Sequence, residues 1–205
     1  MRRPIYKKWW FWLIVVMLAG VAGYGVGRSV SESKSREAST PIVTAIDAQT
    51  PVETVQTDPE SPVNYGNFLN IEMGSTYADV VKLVGEGSEM TSSEIAGFKT
   101  VVYTWKTSLL RYMSVTLQGD AVVGKTQLGL LKADDKITLE MYNQTKEGMT
   151  YEEVKAVLGG GQLISQTEIM GIGSMTYHWI NGNVSSATLT FVKDILMMKV
   201  QISLK

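Results

Sequence analysis

No cysteine occurs among the 205 residues. That absence excludes disulfides, thiolate metal sites, a cysteine nucleophile and a lipid-modified cysteine. Whatever folds here is held together by its own core. Histidine is nearly as scarce, with His178 the single one. One imidazole without a thiol is a poor basis for a zinc site, so no metal and no cofactor is expected. Proline is confined to Pro4, Pro41, Pro51, Pro59 and Pro62, and residues 63–205 contain none. Charge of either sign is not in excess. The net charge of −1 provides no basic field for nucleic acid.

What is present begins with residues 9–26, an apolar run uninterrupted by charge. Its length nearly spans a hydrocarbon core at the helical rise of about 1.5 Å per residue. Trp9, Trp10 and Trp12 stand at its charged end, where amphipathic rings favour the headgroup layer. Arg2, Arg3, Lys7 and Lys8 precede it and only Arg28 closely follows. The positive-inside bias then places residues 1–8 in the cytoplasm, a transmembrane signal anchor at 9–27, and the remainder outside the cell membrane. A cleaved signal peptide with Gly20-Val21-Ala22 as its processing site is the other reading. Residues 28–62 are rich in Ser, Thr, Glu, Gln and Pro. So polar a segment cannot offset the entropy of ordering, and a flexible linker is expected.

The folded part is organised by an internal repeat. Gly74-Ser75-Thr76-Tyr77-Ala78-Asp79-Val80 returns as Gly148-Met149-Thr150-Tyr151-Glu152-Glu153-Val154, 74 positions later. The same shift pairs Gly85 and Gly87 with Gly159 and Gly161, Tyr103 and Trp105 with Tyr177 and Trp179, and Lys125 and Gln127 with Lys199 and Gln201. Sixteen positions are identical between residues 74–130 and 148–204 without a gap. Repeat units are therefore expected at 63–131 and 132–205. In each, a short helical piece precedes a capped helix, with Thr150 and Glu153 forming a capping box and Thr76 and Asp79 a weaker one. Four strands should follow. Alternation points Val101, Tyr103 and Trp105 inward, and likewise Met113, Val115 and Leu117. In the fourth strand it points Val122, Leu128 and Leu130 inward in the first unit, and Leu196, Met198, Val200, Ile202 and Leu204 in the second. The opposite, polar face should carry Tyr112, Lys125, Gln127, His178, Lys199 and Gln201.

At the Gly-Met-Thr-Tyr-Glu-Glu-Val helix, its Gly-x-Gly exit and the later Tyr-x-Trp, the chain resembles a known group. This is the β-lactamase-inhibitory-protein-like fold of membrane-attached or lipoprotein families of Gram-positive bacteria, related to the SmpA/OmlA-type assembly lipoproteins. The resemblance covers about 64–205. It implies an α+β protein of two tandem repeats, each a helix–loop–helix on a four-stranded antiparallel sheet. In the inhibitor proteins the combined sheet surface is concave and grips a β-lactamase. The first copy departs from the pattern at Ser75, Ala78 and Asp79. The lipid-accepting cysteine and the disulfides of relatives are missing, so lactamase inhibition does not carry over with the fold.

No catalytic set emerges. His178 has Thr104 as its repeat partner, so the shared scaffold does not need an imidazole there. Glu152 and Glu153 suit a helix start, and Asp134 and Asp135 suit a cap at the repeat junction. Gly159-Gly160-Gly161 follows a helix, the reverse of a phosphate-binding loop. The expectation is a non-enzymatic, membrane-anchored extracytoplasmic binding module of the bacterial envelope. Its partner would be a protein or a cell-envelope polymer, met by the six polar-face residues above. The alternatives are a structural role in envelope assembly, or an envelope enzyme collecting Glu94, Glu168 or the junction aspartates.

Overall fold

The computed structural model describes residues 61–95, 97–131, 135–182 and 185–205. Two short helices, α1 (Tyr65–Asn70) and α2 (Tyr77–Val84), lead into strands β1 (Ser88–Ile95), β2 (Phe98–Ser108), β3 (Arg111–Gln118) and β4 (Ala121–Leu128). Then α3 (Leu139–Gln144) and α4 (Tyr151–Leu158) lead into β5 (Gln162–Ile169), β6 (Ile172–Asn181), β7 (Ser185–Val192) and β8 (Ile195–Ile202). Each of the four described helices starts on a side chain that accepts an amide proton three residues on: Asn64, Thr76, Thr138 and Thr150. Thr76 and Thr150 complete full capping boxes with Asp79 and Glu153. Helices of six or eight residues are marginal alone, so these caps and the apolar faces beneath them fix where the helices begin.

The expected architecture of two helix–loop–helix units, each on its own four-stranded sheet, is overturned. All eight strands lie in one antiparallel sheet in sequential order. The junction is made by β4 against β5, through Gly124 with Thr167, Lys125 with Gln166 and Thr126 with Ser165. The physical reason is edge satisfaction. Two separate sheets would expose four rows of unpaired backbone groups, whereas one sheet exposes two. The helices among the described residues are minor, two of six residues and two of eight. The transmembrane helix included in the expected architecture lies outside the described residues. No helix among the described residues is long and apolar enough to cross a membrane.

The helices cover one face of the sheet and bury two apolar clusters there. The first gathers Phe68, Ile71, Val80 and Val84 over Trp105, Met113, Val115 and Leu117. The second gathers Tyr142, Val154 and Leu158 over Trp179, Leu189, Phe191 and Leu196. Tyr177 packs against both clusters. Tyr65 adds a polar tie, its hydroxyl accepting the Leu163 amide at 2.7 Å.

The two most visible motifs prove to be one device. The Trp105 indole N–H donates to Gly85 O at 2.9 Å, and the Trp179 N–H to Gly159 O at 3.1 Å. Gly87 and Gly161 lie flat against the same indoles; a Cβ there would sit 2.7 Å and 2.6 Å from the rings. Each tryptophan thus needs a carbonyl from the helix exit and a residue without a side chain two positions later. Gly161→Ala is expected to cost about 1–3 kcal/mol through overpacking against a rigid ring. Urea unfolding followed by circular dichroism checks it; a loss under half a kcal/mol would show that the backbone yields freely there.

Candidate functional site

The face of the sheet opposite the described helices is the candidate site, and a backbone irregularity decides which residues reach it. Pairing of β3 with β4 is regular until Thr116 meets Gly124 and Leu117 meets Val122, leaving Val123 as an extra residue. The same happens in β8, where Thr190 meets Met198, Phe191 meets Leu196, and Met197 is extra. A bulge of one residue reverses the side-chain parity beyond it. Four of the six expected polar-face residues are therefore on the helix side: Lys125, Gln127, Lys199 and Gln201. Conversely, Leu128, Met198, Val200 and Ile202, expected inward, turn outward, and each is at least 46% exposed.

The inward polar residues have structural tasks. Lys125 Nζ, only 3% exposed as a residue, donates to Phe68 O, Leu69 O and Ile71 O at 2.7–3.0 Å. These are carbonyls at the C-terminal end of α1, where a cation is favoured by the helix dipole. Its Nζ also stands 5.0 Å from the Phe68 ring centroid. Burial pushes the Lys125 ammonium down to about 8. Lys199 repeats the arrangement on α3, donating to Tyr142 O and Thr145 O at 2.9 and 2.6 Å, 4.1 Å from the Tyr142 ring centroid. Gln127 accepts the Leu130 amide and donates to Leu163 O across the β4–β5 junction. Gln201 accepts the Leu204 amide.

Tyr112 and His178 are on the open face. Tyr112 lies between Lys106 and Leu128 in neighbouring strands. His178 lies between Gln162 and Thr188. Desolvation lowers the His178 pKa, opposed in part by the Asp135 carboxylate, so the imidazole is neutral at neutral pH. Beside it Gln162 is buried, and its Nε2 has no partner among the described residues.

A line of hydroxyls crosses this face. Register places Ser88, Thr104, Ser114, Thr126, Ser165, Thr176 and Thr190 side by side on seven consecutive strands, ending at Met198 on the eighth. With strands about 4.8 Å apart, the line is about 34 Å long. Ser114 and Thr126 are hydrogen-bonded at 2.7 Å, Thr176 and Thr190 at 3.1 Å. Residue pattern alone foretold a polar face but not this alignment, because register is set by pairing.

Such a face can donate and accept hydrogen bonds along its length, with Lys106 beside Tyr112 as a cation. It holds no acid–base pair. Glu94 and Glu168 sit on β1 and β5, four strand spacings or about 19 Å apart. The Asp135 carboxylate is occupied by the Ile180 amide at 2.7 Å, and Asp134 lies outside the described residues. Among the described residues no group of three His, Asp or Glu could hold a metal ion.

Comparison with known proteins places these features. The family model for Beta-lactamase inhibitor (BLIP) matches residues 64–179, from the cap of α1 to the tryptophan of β6. Among solved structures the chain is similar to a candidate beta-lactamase inhibitor protein of Streptococcus mutans. They share 18% identity with a TM-score of 0.58, over 67% of this chain and 94% of that one. At that identity the likeness speaks for the fold alone. No curated protein matches the chain.

Proposed function

The chain belongs to the beta-lactamase inhibitor (BLIP) family, and from that premise we propose that it binds a protein partner on the open face of its sheet, outside the cell membrane. The carrying observation is the hydroxyl line on the face opposite the helices, flanked by Tyr112, Leu128 and His178. Neutral hydroxyls lose little conformational entropy on binding, and a half-exposed aromatic or aliphatic side chain among them provides anchors of the kind interfaces use. Residues 9–27 support the anchoring part of the reading, since a charge-free run follows four cations. Residues 28–62 would hold the binding unit away from the bilayer. The reading is non-enzymatic, supported by the separation of the carboxylates and by a neutral histidine without a carboxylate hydrogen bond.

Because Lys125, Gln127, Lys199 and Gln201 point to the helices, substitutions there would test stability instead of binding. The informative variant is Tyr112→Ala with Thr176→Glu and Thr188→Glu, all on the open face. Crosslinking and capture from intact cells, using the full chain, should recover a protein with the parent. The variant, shown to be folded by circular dichroism, is expected to capture at least about tenfold less, the loss of roughly 1.4 kcal/mol. Equal capture by parent and variant would move recognition off this face.

A further inference from the structure

Among the described residues the sheet ends at β1 and β8, and the chain itself contains a template for joining them. Repeat equivalence is structural as well as sequential. Lys125 on the end of α1 and Lys199 on the end of α3 perform the same capping. Strands β1 and β5 carry the same irregularity, between Glu89 and Thr91 and between Leu163 and Ser165. So β8 is the counterpart of β4, and β1 is the counterpart of β5. Within the chain, β4 and β5 pair. We propose that β8 of one copy pairs with β1 of a second copy in the same register, joining copies head to tail.

The repeat shift specifies the contacts. Gly124–Thr167, Lys125–Gln166 and Thr126–Ser165 become Met198, Lys199 and Val200 against Ser93, Ser92 and Thr91 of the second copy. A side chain is already in place to secure them. Gln127 Nε2 crosses the internal junction to Leu163 O at 3.1 Å. Its counterpart Gln201 holds the same turn amide, from Leu204, but its Nε2 has no partner among the described residues. In the joined arrangement that amide meets the backbone carbonyl of Glu89 of the second copy.

Neither edge carries an outward lysine among the described residues. Sheet edges are commonly protected by an outward lysine, yet the only charge in β8 is Lys199, and it is turned inward to cap α3. Met198 and Val200 are left 56% and 52% exposed. β1 carries Glu89 and Glu94; Glu94 is no barrier, since its counterpart Glu168 sits in the paired strand β5, and Glu89 takes part through its backbone carbonyl. A head-to-tail contact does not close on itself in a dimer, so it extends to longer assemblies. With only three residue pairs at the junction, it is concentration-dependent.

The absence of cysteine gives a clean test. Thr91→Cys and Val200→Cys are introduced into the full chain, separately and together, and oxidised mildly in detergent at rising protein concentration. In one chain these positions are seven strand spacings apart, about 34 Å, far beyond the reach of a disulfide. The double variant is expected to give a ladder of dimers, trimers and larger species on a non-reducing gel. A mixture of the two single variants should stop at dimers, and each alone should stay monomeric. Adding Gln201→Ala to the double variant should cut the ladder several-fold. Dimers from Val200→Cys alone would mean that β8 pairs with β8, and overturn the proposal. A double variant that stays monomeric, or an equal-part mixture that does, would overturn it as well. The single variants each change one exposed edge residue, so the mixture reads out even if the double variant folds poorly.

Discussion

Trp179→Ala is expected to lower the unfolding free energy by about 3–5 kcal/mol, the range for deleting a large aromatic from a packed core. Trp179 is fully buried and stands at the centre of the second cluster, with Tyr177 tilted against it. Tyr177 in turn stacks on Tyr151 with ring centroids 4.1 Å apart. Removing the indole leaves a cavity bounded by Gly161, which has no side chain to fill it. It also leaves Gly159 O, at the helix exit, without its donor. Trp179→Phe separates the two effects, since it restores much of the volume but not the N–H; it should cost less than the alanine change. For a protein with a typical reserve of about 5–15 kcal/mol, the alanine variant would be close to unfolding at physiological temperature. Chemical denaturation at several temperatures gives the number, and a cost under 1 kcal/mol would show that the two clusters do not depend on the motif.

Lys125→Met is the second large effect, expected at about 3 kcal/mol. Methionine keeps the apolar stem and the bulk of the side chain. What it loses is a donor to three carbonyls beneath α1, and each buried acceptor left empty costs up to a few kcal/mol. Lys199→Met should cost less, because its surroundings are less completely buried and water can replace part of what is lost.

Lys125 also gives stability a specific pH dependence. In the unfolded chain its ammonium titrates near 10.5; in the folded chain burial brings it down to about 8. Between those values the unfolded chain holds the proton more tightly, so stability should rise with pH from about 8 upward. Tyr177 works in the opposite sense. Burial pushes its hydroxyl up to about 12 from 10.0. Above about 10 the unfolded chain gives up that proton while the folded chain keeps it, and stability should fall. A maximum near pH 10, where the two slopes cancel, is the expected result for the parent. In Lys125→Met most of the rise disappears, leaving the smaller contribution of Lys199, whose pKa is also lowered by desolvation. A parent whose stability is flat from pH 8 to 10 would mean that the three carbonyls stabilise the charged amine as much as burial penalises it.

The internal repeat was fully legible, since sixteen identities in one register need only the sequence. So were the N-caps at Thr76 and Thr150, because a hydroxyl three residues before a carboxylate acts locally. The inward faces of β2 and β3 followed from alternation, which holds while pairing is regular. Alternation failed in β4 and β8 because one extra residue, Val123 or Met197, reverses parity, and nothing in either residue announces a bulge. Lysine at 125 reads as a surface residue because a buried ammonium needs carbonyls to receive it. Those carbonyls, at Phe68, Leu69 and Ile71, lie more than fifty residues earlier. That the two halves share one sheet depends on three residue pairs between β4 and β5, where backbone groups do the bonding and side chains carry no code. The sequence thus determined the units and their internal motifs, which depend on neighbours in the chain. The tertiary structure alone decided which side chains face away from the helices and which of the described strands stand at the ends of the sheet, because both depend on strand pairing.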